Sequence, residues 1–295
     1  MDNTYKIALV QMACAPEPRK NLEHAAARVR EAARGGARVV CLPELFLSPY
    51  FCQHEDPRCF DLAEPIPGPT TDAMAALGRE VGAVIIAPLF EKRAPGLYHN
   101  SLVVIDADGS IAGRYRKMHI PDDPGYYEKY YFAPGDLGFQ AFKTRHGCIG
   151  ALICWDQWYP EAARLAALAG AEVIFYPTAI GWHPAEKERE GARQLDAWRT
   201  VQRGHAVANA VYIAAVNRVG LERARPGDAG LEFWGGSFVC DPQGRPLAEA
   251  APDKEEIVYA EVDRRRIEDV RRNWPFLRDR RIDAYGDILK RYRDG

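Results

Sequence analysis

The sequence predicts an α/β fold built in layers around mixed sheets. Three observations carry that expectation. Apolar segments of strand length alternate along the chain with longer, helix-like segments. Two pairs of apolar segments are joined by tight-turn sequences, Ala107-Asp108-Gly109-Ser110 and Asp241-Pro242-Gln243-Gly244, which read as antiparallel hairpins. No Gly/Ser-rich or Pro-rich stretch divides the chain, so residues 1–295 read as a single domain.

The elements follow in order. Tyr5–Met12 reads as a strand, and Leu22–Arg34 as a helix stopped by Gly35-Gly36. Ala37–Leu42 is a second strand and ends at Pro43-Glu44. Thr70–Val81 is a helix and Ala83–Leu89 a buried strand. Ser101–Asp106 and Ile111–Arg116 flank the first hairpin turn. Gly147–Ile153 is a strand that stops at Cys154, with a helix over Glu161–Leu168 and a strand over Glu172–Tyr176 behind it. Gly191–Asn209 reads as a long helix and Val211–Val216 as the next strand. Gly236–Cys240 and Arg245–Glu249 flank the second hairpin turn. Ile257–Val262 is the last strand, and Arg264–Arg272 starts a helical tail. Each hairpin follows a similar helix–strand run, which hints at two halves of similar build.

Composition narrows the function classes. Hydrophobic residues make up 47% and charged residues 27%, as in an ordinary globular protein. A formal charge of −2 gives no global attraction to nucleic acid or anionic membrane. Met1-Asp2-Asn3-Thr4 has neither the basic nor the apolar region of a secretory leader, and no apolar run is long enough to span a bilayer. The seven cysteines are odd in number, and Cys41, Cys148 and Cys240 sit within apolar segments, which suits a reducing, cytoplasmic setting. There is no Cys-x-x-Cys pair and the histidines are scattered, so no metal site is expected.

Three segments place a reactive group at or just past a strand end. Val39-Val40-Cys41-Leu42-Pro43 leads to Glu44, Ile111–Arg116 leads to Lys117, and Gly147–Ile153 leads to Cys154. Strand ends in layered α/β folds commonly converge on one crevice. A carboxylate, an ammonium and a thiol meeting there would suit nucleophilic acyl transfer. The carboxylate would take the thiol proton, and the thiolate would attack a carbonyl or nitrile carbon. The ammonium, with the amide after the cysteine, would hold the developing oxyanion. Taken singly, each residue has a plainer reading: a loop carboxylate, a solvated lysine and a packed core thiol.

Together the segments resemble the carbon–nitrogen hydrolases of the nitrilase superfamily. The matching stretches are Leu42-Pro43-Glu44-Leu45-Phe46, Arg116-Lys117-Met118-His119-Ile120-Pro121 and Ile153-Cys154-Trp155-Asp156, in the family's order. The resemblance covers about 5–262. It implies an α-β-β-α four-layer sandwich with Glu44 as base, Lys117 as electrostatic stabiliser and Cys154 as nucleophile. It implies no metal or organic cofactor, a small-molecule substrate, and a homo-oligomer built from dimers, with the tail 263–295 at an interface. A second glutamate at Glu128, within Tyr127-Glu128-Lys129-Tyr130, is implied to orient the lysine.

The closer resemblance is to members that cleave N-carbamoyl amines, over His119–Phe132, Cys154–Ala163, Tyr176–Gly181 and Phe233–Phe238. A ureido carbon is a poor electrophile, so attack needs a thiolate and a dry site. Trp155, Trp158 and Tyr50 are candidates to provide dryness. One stretch departs from those members: Gly181-Trp182-His183-Pro184 stands where they carry Ser-Glu-Pro. Trp182 and His183 therefore join the candidate substrate contacts. Asp122 and Asp123 are candidates to bind an ammonium or to form a turn. A carbamoyl acid would call for an arginine, with Arg199 and Arg203 as candidates on the long helix. Three readings stay open here: an N-carbamoyl amine hydrolase, a hydrolase of a ureido acid or simple ω-amide, and a non-catalytic scaffold.

Overall fold

In the computed structural model, residues 3–293 are described. The two outermost residues at each end of the expected 1–295 domain lie outside the described residues. The first half of the chain runs β1 (Thr4–Gln11), α1 (Pro18–Arg34), β2 (Val39–Cys41), α2 (Pro69–Val81), β3 (Val84–Ala94), β4 (Leu97–Ile105) and β5 (Ile111–Arg116). A short helix α3 (Glu128–Tyr131) follows. The second half runs β6 (Ala141–Lys143), β7 (Cys148–Ala151), α4 (Pro160–Leu168), β8 (Val173–Thr178), β9 (Gly181–Trp182), α5 (Lys187–Asn209) and β10 (Tyr212–Asn217). It ends with β11 (Val219–Glu222), β12 (Leu231–Trp234), β13 (Phe238–Cys240), β14 (Pro246–Glu249), β15 (Glu256–Asp263) and α6 (Arg264–Asn273).

Two six-stranded sheets result, in the orders β15-β1-β2-β3-β4-β5 and β14-β13-β10-β8-β7-β6. Reading the second order backwards shows the same plan as the first. An antiparallel edge strand (β15 or β6) precedes three parallel strands (β1-β2-β3 or β7-β8-β10), and an antiparallel hairpin closes the sheet. The hint of two similar halves is thus a fact of topology. Helices sit on the parallel crossovers, where the connection needs them.

Strand alternation sorts the side chains into layers. Ile7, Leu9, Val39, Ile86 and Val104 of the first sheet pack in one core with Ile149, Phe175 and Ile213 of the second. Ala8, Val10, Val40, Ile85 and Val103 face the other way and pack with Ala25 and Val29 of α1 and Met74 and Leu77 of α2. The layers are α-β-β-α, as the family resemblance implies.

Two differences from the sequence reading have physical causes. β3 runs to Ala94 instead of stopping at Leu89, and it forms an unforeseen hairpin with β4. Phe90-Glu91-Lys92-Arg93, three charged residues after Phe90, lie beyond the strand expected over Ala83–Leu89. Glu91 is nevertheless buried, because Ser101 Oγ on β4 (2.6 Å) and Arg116 Nε on β5 (2.8 Å) donate to its carboxylate. The small sheet β11-β12-β9 was also unforeseen. Its strands are two to four residues long, too short for alternation to show.

Candidate active site

Glu44 and Lys117 each lie a residue or more past a strand end, after β2 and β5, and Cys154 begins a 3-10 turn just after β7. The packed sheets bring these ends together. Two of the turns take left-handed backbone: Leu45 has φ 50° and Cys154 has φ 41°. Such conformations in non-glycine residues cost about 1–3 kcal/mol and persist only where the surroundings enforce them.

Asp156 is one residue that enforces the Cys154 turn. Its Oδ2 accepts from the Ile153 amide (3.0 Å) and from the Tyr115 hydroxyl (2.7 Å). Its Oδ1 accepts from the His119 amide (3.1 Å) and pairs with His119 Nδ1 (2.7 Å). One buried carboxylate therefore ties the cysteine turn to the segment that carries Lys117. The His119 ring stacks on Tyr159 with centroids 3.7 Å apart. On the other side, the Gly135 amide donates to the Lys117 carbonyl at 2.8 Å. A Cβ at Gly135 would stand 2.1 Å from the Arg116 carbonyl oxygen, so this approach requires glycine.

Lys117 is fully buried between two carboxylates. Its Nζ donates to Glu44 Oε1 (2.8 Å) and to Glu128 Oε2 (2.6 Å). Asn100 Nδ2 donates to Glu44 Oε1 at 2.7 Å, and the Tyr50 hydroxyl donates to Glu128 Oε1 at 2.7 Å. Glu44 Oε2 is buried and takes no hydrogen bond from the described residues. It is the carboxylate oxygen left open in the group. Cys154 Sγ is directed at the Ala179 carbonyl, 3.9 Å away.

The electrostatics fit a protonated thiol beside a charged lysine. Burial and the Glu44 carboxylate push the Cys154 thiol well above its ordinary range, and Lys117 only partly offsets them. Burial works against the Lys117 ammonium, yet Glu128 and Glu44 outweigh it and raise its pKa well above normal. Burial also raises Glu128 despite Lys117.

A cavity of about 590 Å³ opens over Cys154. Tyr126, Trp155, Trp158 and Trp234 supply aromatic wall. Asp123, His183 and Glu186 supply charged or polar groups, and no arginine or lysine lines it among the described residues.

The sequence candidates divide accordingly. Glu44, Lys117, Glu128 and Cys154 lie together, and Trp155 and His183 line the cavity. Tyr50 does not line it: the ring is fully buried behind Glu128, which its hydroxyl holds. Trp182 is also set back, because its indole Nε1 donates to the Gly191 carbonyl (3.2 Å) and its ring packs on Trp234. Asp122 is exposed and off the wall, while its neighbour Asp123 is on it. Asp123 also closes the turn to Tyr126, whose amide donates to its carbonyl at 2.7 Å. Arg199 pairs with Glu249 (3.4 Å) and Arg203 donates to the Gly244 carbonyl (2.8 Å), both away from the cavity.

Asn100, Tyr126, Asp156 and Glu186 were missed as site residues. Asp156 had a signal, since it ends the quoted Ile153-Cys154-Trp155-Asp156 motif. Glu186 stands three residues past the departure at His183, where no spacing rule points to it.

With two carboxylates, a lysine and a thiol gathered under one cavity, the fold and site define a carbon–nitrogen bond hydrolase, and comparison agrees. The chain belongs to the carbon-nitrogen hydrolase family, whose model matches residues 6–272. It hydrolyses carbon–nitrogen bonds other than peptide bonds. It is similar to the N-carbamoylputrescine amidase of Solanum lycopersicum, at 45% identity over 96% of this chain and 94% of that protein. The citrullinase of Francisella tularensis is 40% identical over 97% of this chain and 99% of its own. Among solved structures, a carbon-nitrogen hydrolase from Helicobacter pylori G27 superposes with a TM-score of 0.95. It is 51% identical, and the match covers 98% of this chain and 100% of that one.

Proposed function

We propose that this enzyme hydrolyses an N-carbamoyl amine with a cationic tail, N-carbamoylputrescine in the first instance, to the amine, carbon dioxide and ammonia. The observation that carries the choice of substrate is the cavity wall. Asp123 and Glu186 stand on it, and no arginine does. An ammonium tail suits that wall, and a carboxylate tail does not. Glu186 thus offers a carboxylate where the Gly181-Trp182-His183-Pro184 stretch lacks one. Plant relatives named N-carbamoylputrescine amidase agree with this reading.

In the proposed reaction Cys154 Sγ attacks the ureido carbon while Glu44 Oε2 takes the thiol proton. Charge on the carbonyl oxygen develops near Lys117 Nζ and the Trp155 amide. That amide lies in the first turn of a 3-10 helix, where N–H groups lack intrahelical acceptors. Collapse expels one nitrogen with the proton that Glu44 returns, leaving a thiocarbamate on Sγ. Glu44 then takes a proton from water as its oxygen attacks, and the C–S bond breaks with that proton returned to the thiolate; the carbamic acid released decomposes to carbon dioxide and the second nitrogen product. Glu128, held by Tyr50, orients Lys117 throughout. None of these steps calls for a metal or organic cofactor.

Two broader features belong to the same proposal. The chain forms a homo-oligomer built from dimers, with the tail 263–295 at an interface within a single domain. Trp274, Phe276, Ile282, Ile288 and Leu289 support this, because they are large, apolar and exposed in the isolated chain. The proposed setting is the cytoplasm. No helix among the described residues is long and apolar enough to cross a membrane.

The test is a side-by-side measurement of kcat/KM for N-carbamoylputrescine, citrulline, 3-ureidopropionate, glutaramate and uncharged N-butylurea. N-carbamoylputrescine should lead, and Glu186→Gln should lower its value about three- to fivefold without affecting N-butylurea. A far higher value for 3-ureidopropionate would overturn the substrate assignment. Full turnover by Cys154→Ala would overturn the mechanism.

A further inference from the structure

Behind the site lies a buried ion pair that never meets the cavity. Arg218 is fully buried and Glu222 nearly so, with Nη2 and Oε1 2.9 Å apart. Both grip the loop that carries Tyr50. Arg218 Nη2 donates to the Ser48 carbonyl at 2.6 Å, and Glu222 Oε2 accepts from the Tyr50 amide at 2.6 Å. Gln53 Nε2 adds a bond to the Tyr50 carbonyl (3.1 Å) and another to the Glu222 carbonyl (3.2 Å). The Arg218 guanidinium lies 5.2 Å from the Phe233 ring, whose ring in turn meets Tyr50 at 5.8 Å. The backbone and the ring of Tyr50 are therefore both fixed from this side.

Tyr50 has one polar task beyond this loop: its hydroxyl donates to Glu128 Oε1. Glu128 Oε2 holds Lys117 Nζ, and Lys117 holds Glu44. A continuous chain of contacts thus runs from Arg218 through Glu222, Tyr50 and Glu128 to the ammonium. A buried ion pair is weak evidence of a stability device, since desolvation consumes most of its attraction. What this pair does have is a directed contact with one loop.

We propose that Arg218 and Glu222 are positioning residues that act through Tyr50 to hold Glu128 and Lys117 in their reactive arrangement. This rests on the mechanism proposed above, in which Lys117 stabilises the developing oxyanion. Misplacing such a group by about 1 Å can cost about a hundredfold in rate. The cost should fall on kcat, because the pair touches neither cavity nor substrate.

A double-mutant cycle with Glu222→Gln and Tyr50→Phe tests this on the full-length enzyme, with N-carbamoylputrescine or whichever carbamoyl substrate turns over fastest. Glu222→Gln is expected to lower kcat about ten- to a hundredfold with KM within about threefold. The double variant should be no slower than the slower single variant, because both changes break one chain. Multiplied losses, or wild-type kcat in Glu222→Gln, would overturn the proposal. Should Glu222→Gln fail to fold, Glu222→Asp takes its place in the cycle under the same criteria. Arg218→Lys should retain more kcat than Arg218→Met at matched circular dichroism, and equal loss in both would count against it. Cys154→Ala run alongside separates the two readings. Activity in that variant defeats the mechanism, whereas an inactive Cys154→Ala with an additive cycle defeats the positioning role alone.

Discussion

Cys154 is a buried thiol whose pKa is pushed well above its ordinary range by burial and the Glu44 carboxylate. In the proposed mechanism its reactivity comes from proton transfer during attack, which makes the open Oε2 of Glu44 the feature to probe. The electrostatics give a signed expectation. The Glu44 carboxylate raises the thiol and the Lys117 ammonium lowers it. Glu44→Gln should therefore shift the pH midpoint of Cys154 alkylation by iodoacetamide downward, and Lys117→Met should shift it upward. Peptide mapping is needed to follow Cys154 separately from the partly exposed Cys14, Cys59 and Cys148. An unmoved midpoint in Glu44→Gln would show that the two groups do not interact. The same variant should lose roughly a hundred- to ten-thousandfold in turnover if Glu44 is the base. Intact mass measurement after substrate exposure would then show whether a carbamoyl adduct builds up.

At the scale of elements, the site depends on turns fastened from outside. Asp156 accepts four hydrogen bonds from three residues: Ile153, Tyr115 and His119. Removing it leaves buried donors unmet. Asp156→Ala is expected to cost about 3 kcal/mol in urea unfolding and to reduce turnover through the loosened Cys154 turn. Strands β3, β4 and β5 are pinned in a comparable way around Glu91. Burial alone would raise that carboxyl, but Arg116, Ser101 and Arg114 outweigh it and hold it below its ordinary value. A carboxyl depressed in the folded state contributes stability above its unfolded pKa and loses it as pH falls through the folded value. The melting temperature should therefore drop as pH falls below about 4.5, the ordinary glutamate value. Glu91→Gln should flatten that part of the profile. An unchanged slope would show that Glu91 carries no part of the acid sensitivity.

At the scale of the whole molecule, the tail beyond α6 leaves large apolar side chains exposed; Leu289 is 90% exposed and Tyr292 79%. A chain ending at Asn273 is expected to assemble with fewer subunits than the full-length protein, as judged from its solution mass divided by its chain mass, which is 33.0 kDa for the full chain. An equal number of subunits for the two would place the interface elsewhere. The doubled plan of the sheets also matters at this scale. It brings Glu44 and Lys117 from one half against Cys154 from the other, so neither half carries the group alone.

The sequence by itself determined the alternation of strands and helices, the two hairpins with Gly109 and Gly244 in their turns, and the Glu44, Lys117 and Cys154 motifs. These are local signals: side-chain period, turn chemistry and short runs of residues that a chain displays before it folds. The polar half of β3 was not legible, because Glu91 enters a sheet only where Ser101 and Arg116 already wait for it. Only the tertiary structure decided that Tyr50 backs Glu128 instead of facing the cavity, that Trp182 is set behind Trp234, and that Glu186 reaches the wall. Each of those outcomes depends on which residues, distant along the chain, compete for the same buried space and the same hydrogen bonds, and no local pattern records that competition.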